Sequence, residues 1–443
     1  MTNIGVAPSS IVYAGINDRT FEAFLAARHE PDWLIEQRRQ HWATFQALPW
    51  PSRSAEEWIR TDYRLLNLDK FSLPIETNNA IETNSPLLVE GVDLGGRTSA
   101  LNSRSQATTL NEKWASRGVI FGALDELVNE HGELIRQHLL NKAVNAKYDK
   151  FAALHAACWS GGHFLYVPRN VTVDQPLHCL SSLTEGGTDL GHLLVVLEDG
   201  ADATLLSETA SHGEQETGFH CGATEVILGS GARMRFVGLQ NWGFGVWHFA
   251  HQKALVGRDA SLQWTIAAMG SRLSKVNQHV ALVAPGAECQ VNGVMFTEGK
   301  QHISYHTLQH HQSPNCKSDF LYKAALQDKS RTVWRGMIKV DPLADKTNGY
   351  QRNDNLMLST QARADSIPGL EIEADDVRCT HGSTSGKVDE ELIFYCQARG
   401  LTRQEATRMI VSGFFQQIFD RITIESVRNA LGNAISRRVR EYQ

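Results

Sequence analysis

Gly200-Ala-Asp-Ala-Thr-Leu205, Gly231-Ala-Arg-Met-Arg-Phe236, Gly257-Arg-Asp-Ala-Ser-Leu262 and Gly286-Ala-Glu-Cys-Gln-Val291 form a loose internal repeat, spaced 31, 26 and 29 residues apart. In each, a strand ends in a glycine turn and a second alternating strand follows. Self-similarity at such a period marks a solenoid, in which one turn cannot bury its apolar face alone and stacked coils share a continuous core. The short runs Phe164-Leu165-Tyr166-Val167-Pro168 and Leu193-Leu194-Val195-Val196-Leu197 fit strands of such coils. The alternative on spacing alone is a β-sandwich. The 35 glycines set against 12 prolines agree with many tight turns.

Outward from this body the texture changes. Phe21, Phe24 and Leu25, then Trp33, Leu34, Gln37 and Trp42, recur at helical spacing before Pro49 and Pro51. Residues 78 to 109, rich in Asn, Ser, Thr and Gly, read as loop or edge strand, and residues 111 to 159 return to a 3.6 period. After residue 386, Asp389 can cap a helix that Gly400 stops, and Thr402 with Glu405 forms a capping-box pattern for the next. That next helix carries Ala406, Met409, Ile410, Gly413, Phe414 and Ile418 on one stripe, and Ile424, Val427, Leu431 and Ile435 mark a last one. The expected domains are a mostly helical 1–160, a β-helix core over 161–386 and a helical 387–443 with a surplus apolar face for a partner.

The 443 residues carry 43 Lys and Arg against 49 Asp and Glu. A mild acid excess argues against a basic phosphate-gripping face, so nucleic acid is not an expected partner. No stretch approaches the roughly 18 apolar residues of a membrane helix, and Met1 to Asp18 lacks the basic and apolar regions of a leader. The seven cysteines are scattered without a C-x-x-C pair, which fits a reducing, cytoplasmic setting better than a disulfide framework or structural zinc.

Few motifs carry chemistry. Gly382-Ser-Thr-Ser-Gly386-Lys387-Val388 has three residues between its glycines and no Ser or Thr for magnesium, so it is not a P-loop. His306, His310, His311 and Cys316 crowd one segment. On a strand, however, His306 and His310 stand about 14 Å apart, too far for one ion. Cys379 and His381 in Asp375-Asp-Val-Arg-Cys379-Thr-His381-Gly are i, i+2 on an extended segment, sharing one face at about 7 Å. Side chains so placed can contact the same bridging group or cluster edge.

Four motifs then identify a resemblance: Gln327-Asp-Lys-Ser-Arg-Thr-Val-Trp-Arg-Gly336, Asn353-Asp-Asn-Leu-Met-Leu-Ser359, Leu370-Glu-Ile-Glu-Ala-Asp-Asp-Val-Arg-Cys-Thr-His-Gly382 and Phe394-Tyr-Cys-Gln-Ala-Arg-Gly400. With Pro31-Asp-Trp-Leu and Glu57-Trp58 as weaker matches, the chain resembles the SufB/SufD family of iron-sulfur cluster assembly scaffolds. Asn353 stands where SufB-like chains carry a cysteine, and Thr380 and Gly382 flank His381 where those chains are acidic, so the likeness is to the SufD side. Cys396 is the more SufB-like feature.

The resemblance implies a mainly β fold, a right-handed parallel β-helix between helical N- and C-terminal domains. It implies a non-catalytic scaffold with no permanent cofactor, pairing with a SufB-like paralogue through the β-helix. The segment from Lys387 to about Gln417 would dock a SufC-like ABC ATPase. A transient iron-sulfur cluster would form near the SufB junction, with His381 and Cys379 as its candidate ligands. Two alternatives remain at this stage: a SufB-like scaffold acting as a homodimer, and a carbohydrate-active β-helix enzyme, for which residues 200 to 340 lack a dense row of carboxylates.

Overall fold

The computed structural model describes residues 14–75 and 86–440. Residues 1–13, within the stretch weighed as a leader, and the start of the segment from residue 78 expected as loop or edge strand lie outside them. The N-terminal part contains α1 (Asp18–Ala26), α2 (Asp32–Ala47), β1 (Gly96–Leu101), β2 (Arg104–Leu110), α3 (Glu112–Ala115), β3 (Ile120–Ala123), α4 (Leu124–Glu130), α5 (Gly132–Arg136) and α6 (Lys150–Cys158). Strands follow as β4 (Gly161–Val167), β5 (Leu177–Leu183), β6 (Gly187–Asp189), β7 (Gly191–Leu197), β8 (Asp202–Ser211), β9 (Thr217–Leu228), β10 (Arg233–Asn241), β11 (Gly245–Val256) and β12 (Ser261–Ala268). The later coils comprise β13 (Leu273–Leu282), β14 (Glu288–Thr297), β15 (His302–His311), β16 (Lys317–Leu326), β17 (Arg331–Val340), β18 (Thr347–Met357), β19 (Arg363–Ile372) and β20 (Val377–Lys387). The chain then forms α7 (Glu390–Ala398), α8 (Arg403–Phe419) and α9 (Glu425–Arg438).

Alternate strands enter alternate sheets, giving a flattened parallel β-solenoid of about eight turns. The first sheet runs β2-β1-β5-β8-β10-β12-β14-β16-β18-β20, and the second runs β19-β17-β15-β13-β11-β9-β7-β4-β3. In the stretch over residues 78–109, expected as loop or edge strand, the chain forms the antiparallel hairpin β1-β2, with β2 at the edge of the first sheet and β1 in parallel register with β5. β3 likewise interrupts the helical stretch after residue 111 and pairs antiparallel with β4.

The repeat has a physical basis at the corners. Left-handed backbone recurs at Asn170, Gly200, Gly231, Asp259, Gly286, Asn315 and Lys346. Each is followed by a buried residue: Val171, Ala201, Ala232, Ala260, Ala287, Cys316 and Thr347. Gly257 is no such corner. Its neighbour two residues on, Asp259, takes the positive φ, while a Cβ at 257 would lie 2.6 Å from the Leu228 carbonyl. Successive coils lock through these turns, as when the Gly200 N–H donates to Ser230 O at 2.8 Å and Gly231 N–H to Arg258 O at 2.7 Å.

Inward side chains such as Leu205, Phe236, Trp264, Val291, Phe320 and Trp334 build one apolar column through the coils. Both broad faces are also covered. Outward residues of the first sheet, including Val237, Leu239, Val294 and Leu321, pack on Val411, Phe415, Ile418, Val427, Leu431 and Ile435 of α8 and α9. Phe219, Phe249 and Leu273 of the second sheet meet Phe21, Phe24, Trp42 and Phe151 from the N-terminal part. The last coil has neither cover: most residues of β19 and β20 are exposed or half-buried, and each is an edge strand.

The C-terminal punctuation is as expected: the Asp389 side chain accepts from Glu391 N–H, Gly400 has φ 93°, and Thr402 with Glu405 completes a capping box. The stripe on α8 is displaced from the one expected. Ala406, Thr407, Val411, Phe415, Ile418 and Phe419 are buried, whereas Met409 and Gly413 face out. The reason is that α9 and the sheet meet the helix from two directions, so the buried face follows both partners instead of one line.

Candidate functional site

The candidate site is the open end of the solenoid. Cys379 pairs in register with Gly349, and His381 with Gln351, on the last strand of the first sheet. Their two-residue spacing on β20 puts both side chains on one face. Cys379 is half-buried against Ile338, Val340 and Ala344. That burial pushes its thiol up from the usual range, with only the Gly349 N–H opposing. The thiol is thus protonated at neutral pH and must lose its proton on binding metal. His381 is exposed.

Beneath these residues the core changes character. Gln351 and Asn353 are fully buried and Asn355 nearly so. The Gln351 amide donates to Gly369 O at 3.0 Å across to the other sheet. Asn355 Nδ2 donates to Asn353 Oδ1 at 2.8 Å and to Ser385 Oγ at 3.1 Å. The apolar column therefore ends in a hydrogen-bonded polar floor. Leu370 and Ile372 on β19 and Tyr350 on β18 are 37 to 40% exposed around it. Among the described residues no three His, Cys, Asp or Glu side chains converge at metal-binding distance. Cys379 and His381 therefore stand without a third such side chain beside them among the described residues.

The other sequence candidates do not join them. His306 and His310 stand on the outer face of β15, where His310 Nε2 meets Asp341 at 2.9 Å. His311 points inward, with Nε2 2.8 Å from Ser318 Oγ. Cys316 occupies the small-residue corner position, its thiol donating to Ala284 O at 3.3 Å, so it is part of the corner ladder. Cys396 is half-buried on α7 against the C-terminal apolar cluster.

A second surface lies on the tail. Leu392, Phe394 and Tyr395 of α7 and Met409 of α8 are large apolar groups 51 to 72% exposed, with the Arg399 guanidinium 4.8 Å from the Tyr395 ring centre. The α8–α9 part of the tail is tied to the solenoid by polar contacts. Lys323 Nζ donates to Phe414 O at 2.9 Å, Arg421 pairs with Asp319 at 3.0 Å, and Arg438 donates to Met269 O at 2.7 Å.

Sequence reasoning missed the buried chain His155–His192–Glu225, in which His155 Nε2 lies 3.0 Å from His192 Nδ1, and His192 Nε2 3.1 Å from the carboxylate. Glu225 also accepts from the N–H groups of Leu140 and Val144 at 2.7 and 2.8 Å, fastening the N-terminal part to the second sheet. The network joins α6, β7 and β9, residues far apart in sequence that carry no shared motif.

The architecture is a parallel β-solenoid covered by helices on both broad faces, with an edge coil that bears a thiol and an imidazole. The model for the SufBD core domain of the SUF iron-sulfur cluster assembly system matches residues 180–414, and that for the SufBD N-terminal region matches residues 20–179. The chain belongs to the SufBD family. It is similar to the iron-sulfur cluster assembly protein SufD of Bacillus subtilis, 26% identical over 96% of this chain and 98% of that protein. It is also similar to SufBD family proteins of Staphylococcus saprophyticus and Staphylococcus epidermidis, each 24% identical over 93% of this chain and 90% of the relative. A role in SUF-system cluster assembly, nearest the SufD side of the family, follows.

Proposed function

We propose that this chain is a cytoplasmic, non-catalytic SufD-like scaffold subunit that pairs with a SufB-like paralogue through its open coil. The observation that carries this reading is the pair of unpaired edge strands, β19 and β20, rimmed by exposed Leu370 and Ile372 beside Cys379 and His381. Long exposed edges are pairing templates that soluble proteins otherwise blunt. A partner added there would complete the donor set, so a transient iron-sulfur cluster, the cargo, would be held across the junction and no permanent cofactor is needed. The exposed face of α7 and α8 supports docking of a SufC-like ABC ATPase, whose closure would pull on the solenoid through the Lys323, Arg421 and Arg438 anchors.

The test is co-expression with the paralogue and the ATPase. His381→Ala is expected to assemble at the wild-type mass and lose cluster formation in cells, and Phe394→Ser to lose the ATPase alone. A His381→Ala complex that supports full cluster formation sinks the assigned role. A stable dimer of this chain alone that holds a cluster, lost in Cys379→Ser, supports the homodimeric SufB-like scaffold instead.

A further inference from the structure

A groove of about 270 Å³ lies on the outer face of the second sheet, beside the 143–148 segment, and reaches Glu371 on β19 at one end. Two in-register rows cross its floor. One is His251, Asn277, His306 and Arg335, and the other is Lys253, His279, Leu308 and Met337. Val144, Leu308 and Met337 supply apolar walls.

Most charges here are already matched. Arg335 pairs with Glu56 at 2.9 Å, Lys339 with Glu371, and His251 with Asp149 at 3.1 Å. Glu57 accepts from the Tyr148 hydroxyl at 3.0 Å. Lys253 differs. Its in-register neighbour Glu225 is occupied by Leu140, Val144 and His192, and Lys253 forms no hydrogen bond or salt bridge among the described residues. Next to it, the buried His279 Nε2, Asn277 Oδ1 and His306 Nδ1 have no partner either. Burial holds His279 and His306 down to about 3 and about 2, so both are neutral hydrogen-bonding groups at pH 7. A half-buried ammonium with a carboxylate in register but no hydrogen-bonding partner of its own, beside orphan polar atoms and an apolar wall, is the pattern of a small-molecule site.

We propose that this groove binds a small organic anion, a carboxylate or sulfonate on a flat apolar body, with Lys253 as its counter-charge. The apolar wall takes the body, and the imidazoles supply hydrogen bonds that an inorganic ion would use without filling the space. This site is independent of the assembly role proposed above.

The test uses the full-length chain titrated with 1-anilinonaphthalene-8-sulfonate by fluorescence, with benzoate and inorganic phosphate as competitors. Lys253→Gln is expected to weaken dye binding by on the order of tenfold, the worth of one charge-assisted hydrogen bond, and Lys253→Arg to retain it. Leu308→Trp, which fills the groove, abolishes it. Benzoate displaces the dye at concentrations where phosphate does not. Equal affinity in Lys253→Gln and wild type overturns the proposal, as does loss of the signal in Phe394→Ser, which would place the dye on the C-terminal patch. If Leu308→Trp fails to fold, the two Lys253 variants decide alone.

Discussion

At the scale of single residues, burial governs the titration of this protein. His163, whose ring nitrogens lie 3.1 Å from Ser181 Oγ and 3.4 Å from Thr98 Oγ1, is held down to about 4, and His302 and His311 likewise. Desolvation is the leading cause for each. Since the folded value lies below the unfolded 6.5, the unfolded chain takes up more protons, and stability is complete above pH 6.5 and lost as pH falls toward 4. Each such imidazole should remove on the order of 1 to 2 kcal/mol between pH 7 and pH 5. Asp125, pushed up to about 6 by burial, acts in the opposite sense and recovers part of this. Urea unfolding across that range should show an uptake of several protons, smaller by about one in His163→Gln; an unchanged uptake would contradict the neutral buried ring. A second residue-scale case is Gly293, where a Cβ would fall 2.1 Å from the Tyr322 ring in the next coil. Gly293→Ala should cost roughly 1 to 3 kcal/mol by overpacking, read as a lowered denaturation midpoint.

Elements were legible in the sequence where one chain signal decided one structure. The glycine corners revealed the coil, because a left-handed turn favours glycine; yet Asn170, Asp259, Asn315 and Lys346 do the same work and left no glycine to count. The small buried residue after each corner is the steadier mark, and it accounts for Cys316. The α7–α8 junction was readable residue by residue, since capping is local. The α8 stripe was not, because its buried face is fixed by two surfaces that only the fold brings together. For the site, the spacing of Cys379 and His381 could be read, but the polar floor of Gln351, Asn353 and Asn355 could not, as polar residues in a strand usually face water. The caps give an element-scale prediction. Thr402→Ala should destabilise the start of α8 by about 1 kcal/mol, which is roughly fivefold faster amide exchange there. Global melting should change little, since α8 is also held by packing on the sheet. Exchange unaltered in the first turn of α8 would show that the capping box adds nothing.

On the scale of the whole molecule, a solenoid is nearly one-dimensional: each coil is stabilised by its neighbours, so an end coil with one neighbour is weaker unless something covers it. At the start, the β1-β2 hairpin, β3 and the N-terminal helices provide that cover. At the finish nothing among the described residues does, and β19 and β20 expose ladder edges ten and eleven residues long. The isolated chain should therefore show the fastest amide exchange of all its strands in β19 and β20, slowing on addition of the proposed paralogue. Placing charge on that edge separates folding from assembly. Leu370→Lys with Ile372→Lys alters two residues already 38 and 40% exposed, so the melting temperature should hold within the effect of about 0.5 kcal/mol usual for surface changes. Lysines are how natural edges resist pairing, and two of them at the proposed junction should abolish co-purification of the paralogue while the proposed docking face on α7 stays intact. A complex of wild-type mass with the doubly substituted chain would mean that the partner sits elsewhere, and Cys379 and His381 would then lie at a free end with no second half to their site.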